Sequence, residues 1–164
     1  MNLLLSFVAI LTLLGAAIMA GAFAAFSNFI MGALARLPDE WALSAMQSIN
    51  VVVLNRWFLG VFAGTAVLSL ILAGLALWNG TNFESILLMA AAIAYFGGCF
   101  LVTGLGNVPL NEAIANLDAA SPRSASLWHD YLDRWTWLNS VRTFASSLCV
   151  LLIAISLLVQ DHPK

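Results

Sequence analysis

No charged side chain precedes Arg36, and further uncharged runs extend from Trp57 to Phe83, from Ser85 to Asn111 and from Thr143 to Gln160. Charged residues are 9% of the 164-residue chain, against about a quarter in a soluble domain. That scarcity argues against a soluble four-helix protein, whose helices each need a polar stripe. With a net charge of −2 the chain also lacks the basic surface of a nucleic-acid binder, and no such partner is expected. Histidine is confined to His129 and His162, so no bis-histidine haem fits between spans of one chain. Cys99 and Cys149 lie in apolar runs, too far apart for a Cys-x-x-Cys motif, and read as small hydrophobes. A Gly-rich phosphate loop and a Gly-x-Ser-x-Gly elbow are both missing.

What remains is built for lipid. About 20 apolar residues at ~1.5 Å each cross a ~30 Å hydrocarbon core. The runs predict an all-α, integral membrane four-helix bundle in one domain, with spans at about residues 3–34, 52–78, 84–106 and 137–159. The segments 38–50 and 109–136 are expected at the membrane surface, the second partly helical. No Lys or Arg precedes the first run, which exceeds a signal-peptide core and reads as a retained helix. Ala17, Gly21 and Ala25, and separately Gly60 and Gly64, form small-residue faces that admit a close helix neighbour, including a second copy of the chain.

The connections carry their own signals. Pro38 followed by Asp39 and Glu40 starts a helix, with acids at the positive end of its dipole. That helix is expected to run on into the second span. Trp78-Asn79-Gly80-Thr81-Asn82 is a tight interfacial turn. Pro109 should push Val108 out of the helical region and end the third span near Asn107. A short amphipathic segment then leads to a polar connector, and Ser126 is the expected N-cap of the restarting helix.

On that last helix, at ~100° per residue, Trp128, Tyr131, Trp135, Asn139 and Arg142 share an arc of roughly 80°. An arginine inside a span normally faces the bundle interior or a wet cavity. A belt of interfacial aromatics with a snorkelling arginine would show the same stripe. The pocket reading is favoured because Asn50, Asn55, Asn107 and Asn111 all fall near span ends on the same side, with Arg56 at the entrance of the second span. The ligand expected is small, planar and aromatic, its oxygens meeting Asn139 and Arg142. His129 lies about 100° from Trp128 on the wheel and is expected to pair with Asp133, four residues on.

Three motifs in order, Met46-Gln-Ser-Ile-Asn50, Asn107-Val-Pro-Leu-Asn111 and Trp128 … Trp135-x-x-x-Asn139-x-x-Arg142, resemble the small four-span membrane family named for its anthrone oxygenases. The resemblance covers nearly the whole chain. It implies insertion of molecular oxygen at the activated methylene of a polycyclic anthrone, without a conventional cofactor. A base would remove the acidic C–H, the anion would reduce oxygen, and loss of water would leave the carbonyl. Asn139 and Arg142 would stabilise the enolate, Trp128 and Trp135 would hold the rings, and Asn50, Arg56, Asn107, Asn111 and Tyr131 are the further substrate-binding candidates. His129 and Glu112 are the candidate bases.

Two other classes stay open at this point. One is a non-enzymatic membrane subunit binding quinone, a metal through carboxylates such as Glu112, or haem through one histidine. The other, a channel or transporter, would need oligomerisation to enclose a path. The lipid bilayer is the expected surrounding, in a bacterial inner membrane. Arg36, Arg56, Arg123, Arg134 and Arg142 lie toward one end and Lys164 toward the other, which by the positive-inside rule puts the site-side loops in the cytoplasm.

Overall fold

A computed structural model describes residues 3–159. Among them are five helices and no strand: α1 (Leu3–Leu34), α2 (Asp39–Val52), α3 (Arg56–Trp78), α4 (Phe83–Ala115) and α5 (Pro122–Val159). All except α2 are long and apolar enough to cross a membrane, so the chain is a four-span integral membrane protein. Around the bundle, α1 packs on α5 and α3, and α4 packs on α3 and α5.

Helix length explains the architecture. At ~1.5 Å per residue, α4 with 33 residues and α5 with 38 reach about 50 and 57 Å, well past a ~30 Å core. Both overshoot at the same end, and α2 lies against the overshoot. Two apolar cores result. One fills the bundle with Leu5, Met19, Phe23, Leu72, Tyr95 and Ile153. The other fills the capped end with Met31, Leu43, Met46, Ile114, Trp128 and Tyr131. Lipid is as apolar as leucine, so the first core is held by close packing. The second lies toward water, where burying apolar surface is itself the driving force.

Close packing depends on three glycines that do not belong to the anticipated small-residue faces. A Cβ on Gly98 would stand 2.5 Å from Ala145 Cβ, one on Gly106 2.9 Å from Leu138 Cδ1, and one on Gly15 would overlap the Thr65 hydroxyl. Gly21, Gly60 and Gly64 have open space around them, so those faces do not pack within the chain. Gly98→Ala should therefore force α4 and α5 apart and lower the melting temperature in detergent. Gly97→Ala, in open space, should leave it unchanged; equal melting of the two variants would contradict this packing.

The turns repeat some expectations and correct others. Gly80, with φ +96°, closes the hairpin between α3 and α4, and Asn82 Oδ1 caps α4 by accepting from Ser85 N at 2.9 Å. However, α2 does not continue into the second span. It ends at Val52, and Asn55 Oδ1 accepts from the backbone N–H groups of Trp57 and Phe58, both at 3.0 Å, starting a new helix. The last helix begins at Pro122 rather than after Ser126; proline is pre-organised for a first turn and has no N–H to leave unpaired.

Pro109 does not end the third span. Val108 keeps helical angles, φ −61° and ψ −49°, and α4 continues to Ala115. The reason is a π-helical stretch, Thr103–Asn107, in which Val108 N–H reaches back five residues to Thr103 O. The wider turn accommodates a ring that would strike the carbonyl four residues back in a regular helix. Similar π stretches occur at Ala94–Leu101 in α4 and Phe26–Ile30 in α1.

Candidate functional site

The aromatic and polar stripe of α5 is buried along its length: Trp128, Tyr131, Trp135, Asn139 and Arg142 are each at most 5% exposed. Its deep end is a closed polar network. Arg142 Nη2 donates to Asn139 Oδ1 at 2.7 Å, and Nη1 to Thr103 Oγ1 at 3.3 Å. The guanidinium carbon lies 4.3 Å from the centre of the Phe23 ring and 5.1 Å from that of Trp135. Asn139 Nδ2 donates to Phe23 O and to Ser27 Oγ, both at 2.7 Å. Asn107 Nδ2 donates to Trp135 O at 3.3 Å. Among the described residues no carboxylate pairs with Arg142; amide, hydroxyl and ring faces surround the cation instead. Arg142 Nε and Asn107 Oδ1 are buried without partners.

Three of the partners in this network come from the π stretches. Ser27 lies in Phe26–Ile30, and Thr103 and Asn107 are the two ends of Thr103–Asn107. Widened turns are frequent at functional sites because they re-aim side chains and carbonyls. The interruptions Ser27-Asn28, Gly97-Gly98, Gly104 and Gly106 were the available signal, visible as weak helix and not as a change of pitch.

Toward the cap, the aromatic side chains stack on one another instead of standing open. Trp128 and Tyr131 ring centres are 5.6 Å apart at 22°, Tyr131 and Trp135 6.3 Å at 28°, and Phe26 lies 5.5 Å from Trp135. The stack ends on Asn111, whose Oδ1 accepts from Tyr131 OH and from Trp135 Nε1, both at 2.9 Å.

Asn111 is also where the stripe meets open space. A cleft of about 450 Å³ lies between α2 and the end of α4, within the ~300–1,000 Å³ range of ligand sites. Gln47, Ser48, Asn50, Val51 and Leu54 line one side, and Val108, Asn111, Glu112 and Ala115 the other. The cleft thus gathers three of the anticipated residues: Asn50, Asn111 and Glu112. Asn50 Nδ2 is buried without a hydrogen-bond partner. Both bonds to Asn111 go to its oxygen, so its amide nitrogen is left without a partner among the described residues. Glu112 is exposed to the cleft and is the titratable group of its lining. Gln47, which sequence reasoning did not single out beyond its motif, donates to Ile114 O at 2.8 Å and Leu117 O at 3.0 Å, holding α2 against the end of α4.

The remaining anticipated residues lie elsewhere. Trp128, Tyr131 and Trp135 stand behind Asn111 and do not line the cleft. Arg56 is the exposed first residue of α3. His129, with 64% of its side chain exposed, pairs with Asp39 of α2 at 3.3 Å, not with Asp133. At that exposure the pair pins the start of α2 and contributes at most about 1 kcal/mol. Among the described residues no three of His, Cys, Asp and Glu converge as metal ligands, and His129 is turned to Asp39 rather than to a cavity.

The family described as anthrone oxygenase matches residues 54–152, which takes in α3, α4 and most of α5 with Asn107, Asn111, Glu112, Asn139 and Arg142. No curated protein and no solved structure matches the chain. Four apolar spans, the buried stripe and a match over more than half its length agree: this chain belongs to the anthrone oxygenase family.

Proposed function

We propose that the chain is a membrane-embedded oxygenase that oxidises the activated carbon of a planar phenolic, anthrone-like substrate with molecular oxygen. The observation that carries the reading is the composition of the cleft: one carboxylate, Glu112, beside Asn111, whose amide nitrogen has no partner among the described residues, with Asn50 on the facing wall. A carboxylate beside uncommitted N–H donors is what removal of a proton alpha to an aromatic carbonyl requires.

In this scheme Glu112 takes a proton from the activated methylene. Asn111 donates to the oxygen on which enolate charge develops, opposite Asn50 on the facing wall. The electron-rich carbon passes an electron to dioxygen, and the two radicals join as a carbon–oxygen bond. The peroxide takes the proton from Glu112. Glu112 then removes the second C–H proton while the O–O bond breaks, leaving the carbonyl; the departing hydroxide takes that proton and leaves as water. One dioxygen is consumed and one water formed per carbonyl, and the substrate itself supplies the electrons, so the scheme uses no cofactor. Tyr131 and Trp135 are positioning residues that occupy the Asn111 oxygen and keep its nitrogen for the cleft.

Asn111→Ala should lower kcat for a 1,8-dihydroxyanthrone probe by ~10²–10³-fold, the usual effect of removing one oxyanion donor, and Asn50→Ala, on the facing wall, should lower it by less. Steady-state oxygen consumption measures this. Unchanged kcat in both variants would remove the cleft from the reaction.

A further inference from the structure

The two ends of the cleft differ in kind. The inner end is polar, with Asn50, Asn111 and Glu112, whereas Val51, Leu54 and Val108 on the outer side are 73%, 66% and 39% exposed. The ends of the uncharged runs put these aliphatic residues at the boundary of the hydrocarbon region. Leu54 precedes Arg56, the last charge before the uncharged run of α3, and Val108 lies inside the uncharged run of α4 that ends at Asn111. Trp57, 77% exposed next to that rim, is the residue type that settles at the interface. Leu105, three residues before Val108 on α4 and 80% exposed, adds apolar surface toward the membrane centre in the neighbouring groove that α4 forms with Leu138 of α5.

We infer that the substrate is an amphiphile taken sideways from the bilayer: a phenolic ring carrying an alkyl chain. Its oxygen and acidic carbon reach Asn50, Asn111 and Glu112. Its chain leaves between Leu54 and Val108 and runs past Leu105 among the acyl chains. This rests on the cleft being the oxygenase site. An alkyl chain already in lipid gains almost nothing from entering a closed apolar pocket. An open side therefore costs no affinity, and the polar end carries recognition.

The test uses the full chain in phosphatidylcholine–phosphatidylglycerol nanodiscs, under argon so that no turnover occurs. The probe is 1,8-dihydroxyanthrone bearing a decyl chain with a terminal diazirine. After illumination, labelled residues are mapped by mass spectrometry. The inference expects labelling concentrated on the α4 segment around Leu105, lost when excess dihydroxyanthrone is present. Labels spread over α1 and α3 without protection, or placed on the connector around Ser121, would overturn it. Protected labelling at Leu105 in a protein that consumes no oxygen would keep the amphiphile site and refute the oxygenase. Oxygen uptake with dispersed, unprotected labels would do the reverse.

Discussion

Glu112→Gln should lower oxygen uptake on dihydroxyanthrone by about 10²–10⁴-fold, the usual contribution of a positioned general base. Glutamine keeps the size and hydrogen-bonding capacity of the side chain and removes only its ability to take a proton. The carboxylate is exposed to the cleft and lies outside both apolar cores, so melting should not change. The same variant should therefore separate chemistry from folding. His129→Ala should lose little activity, because His129 meets Asp39 at the surface and does not line the cleft. Full activity in Glu112→Gln with loss in His129→Ala would exchange the two bases and move the reaction out of the cleft.

The second large effect is on stability, and its sign is the informative part. Asn139→Leu leaves Arg142 Nη2 without its 2.7 Å acceptor inside the bundle. It also removes the donor to Phe23 O and Ser27 Oγ. Neutral interhelical hydrogen bonds in membranes average only about 0.6 kcal/mol. A bond to a buried charge contributes ~1.5–3 kcal/mol, so the arginine should dominate the loss. Replacing the buried cation as well removes the charge that needs satisfying, and exchanges of this kind are often neutral or stabilising. The double variant Asn139→Leu, Arg142→Met should accordingly melt higher than Asn139→Leu alone. A double variant that melts lower, with the two losses simply adding, would contradict the account of Arg142 as a cation held chiefly by Asn139. Arg142→Met alone should lower oxygen uptake far less than Glu112→Gln, since the guanidinium lies behind Trp135 and outside the cleft lining.

These expectations show which features could be read from the chain. The four spans were legible because an uncharged run long enough to cross a bilayer has few other uses. The buried face of α5 was legible because helical period alone puts Trp128, Tyr131, Trp135, Asn139 and Arg142 on one arc, and all five are buried. Pitch was not legible. Pro109 argued for a break, and only the π stretch before it lets α4 continue to carry Asn111 and Glu112 into the cap. Contacts between distant segments were also hidden. A local rule paired His129 with Asp133, while the fold brings Asp39 from α2. Asn50, Asn111 and Glu112 could each be picked out as polar residues at helix ends. Their meeting across one cleft follows from the docking of α2 through Gln47, and no periodicity encodes that. The aromatic stripe suggested an open slot for rings. The same side chains stack on one another and set the Asn111 amide instead.

The most direct measurement is the fate of oxygen-18 when the purified, reconstituted chain meets dihydroxyanthrone under labelled dioxygen. The account predicts a quinone carrying one labelled oxygen at the oxidised carbon, with the other labelled atom in water. It also predicts one dioxygen consumed per product, at a rate that disappears in Glu112→Gln. No product above the protein-free rate, or a new carbonyl oxygen that comes from water, would contradict it.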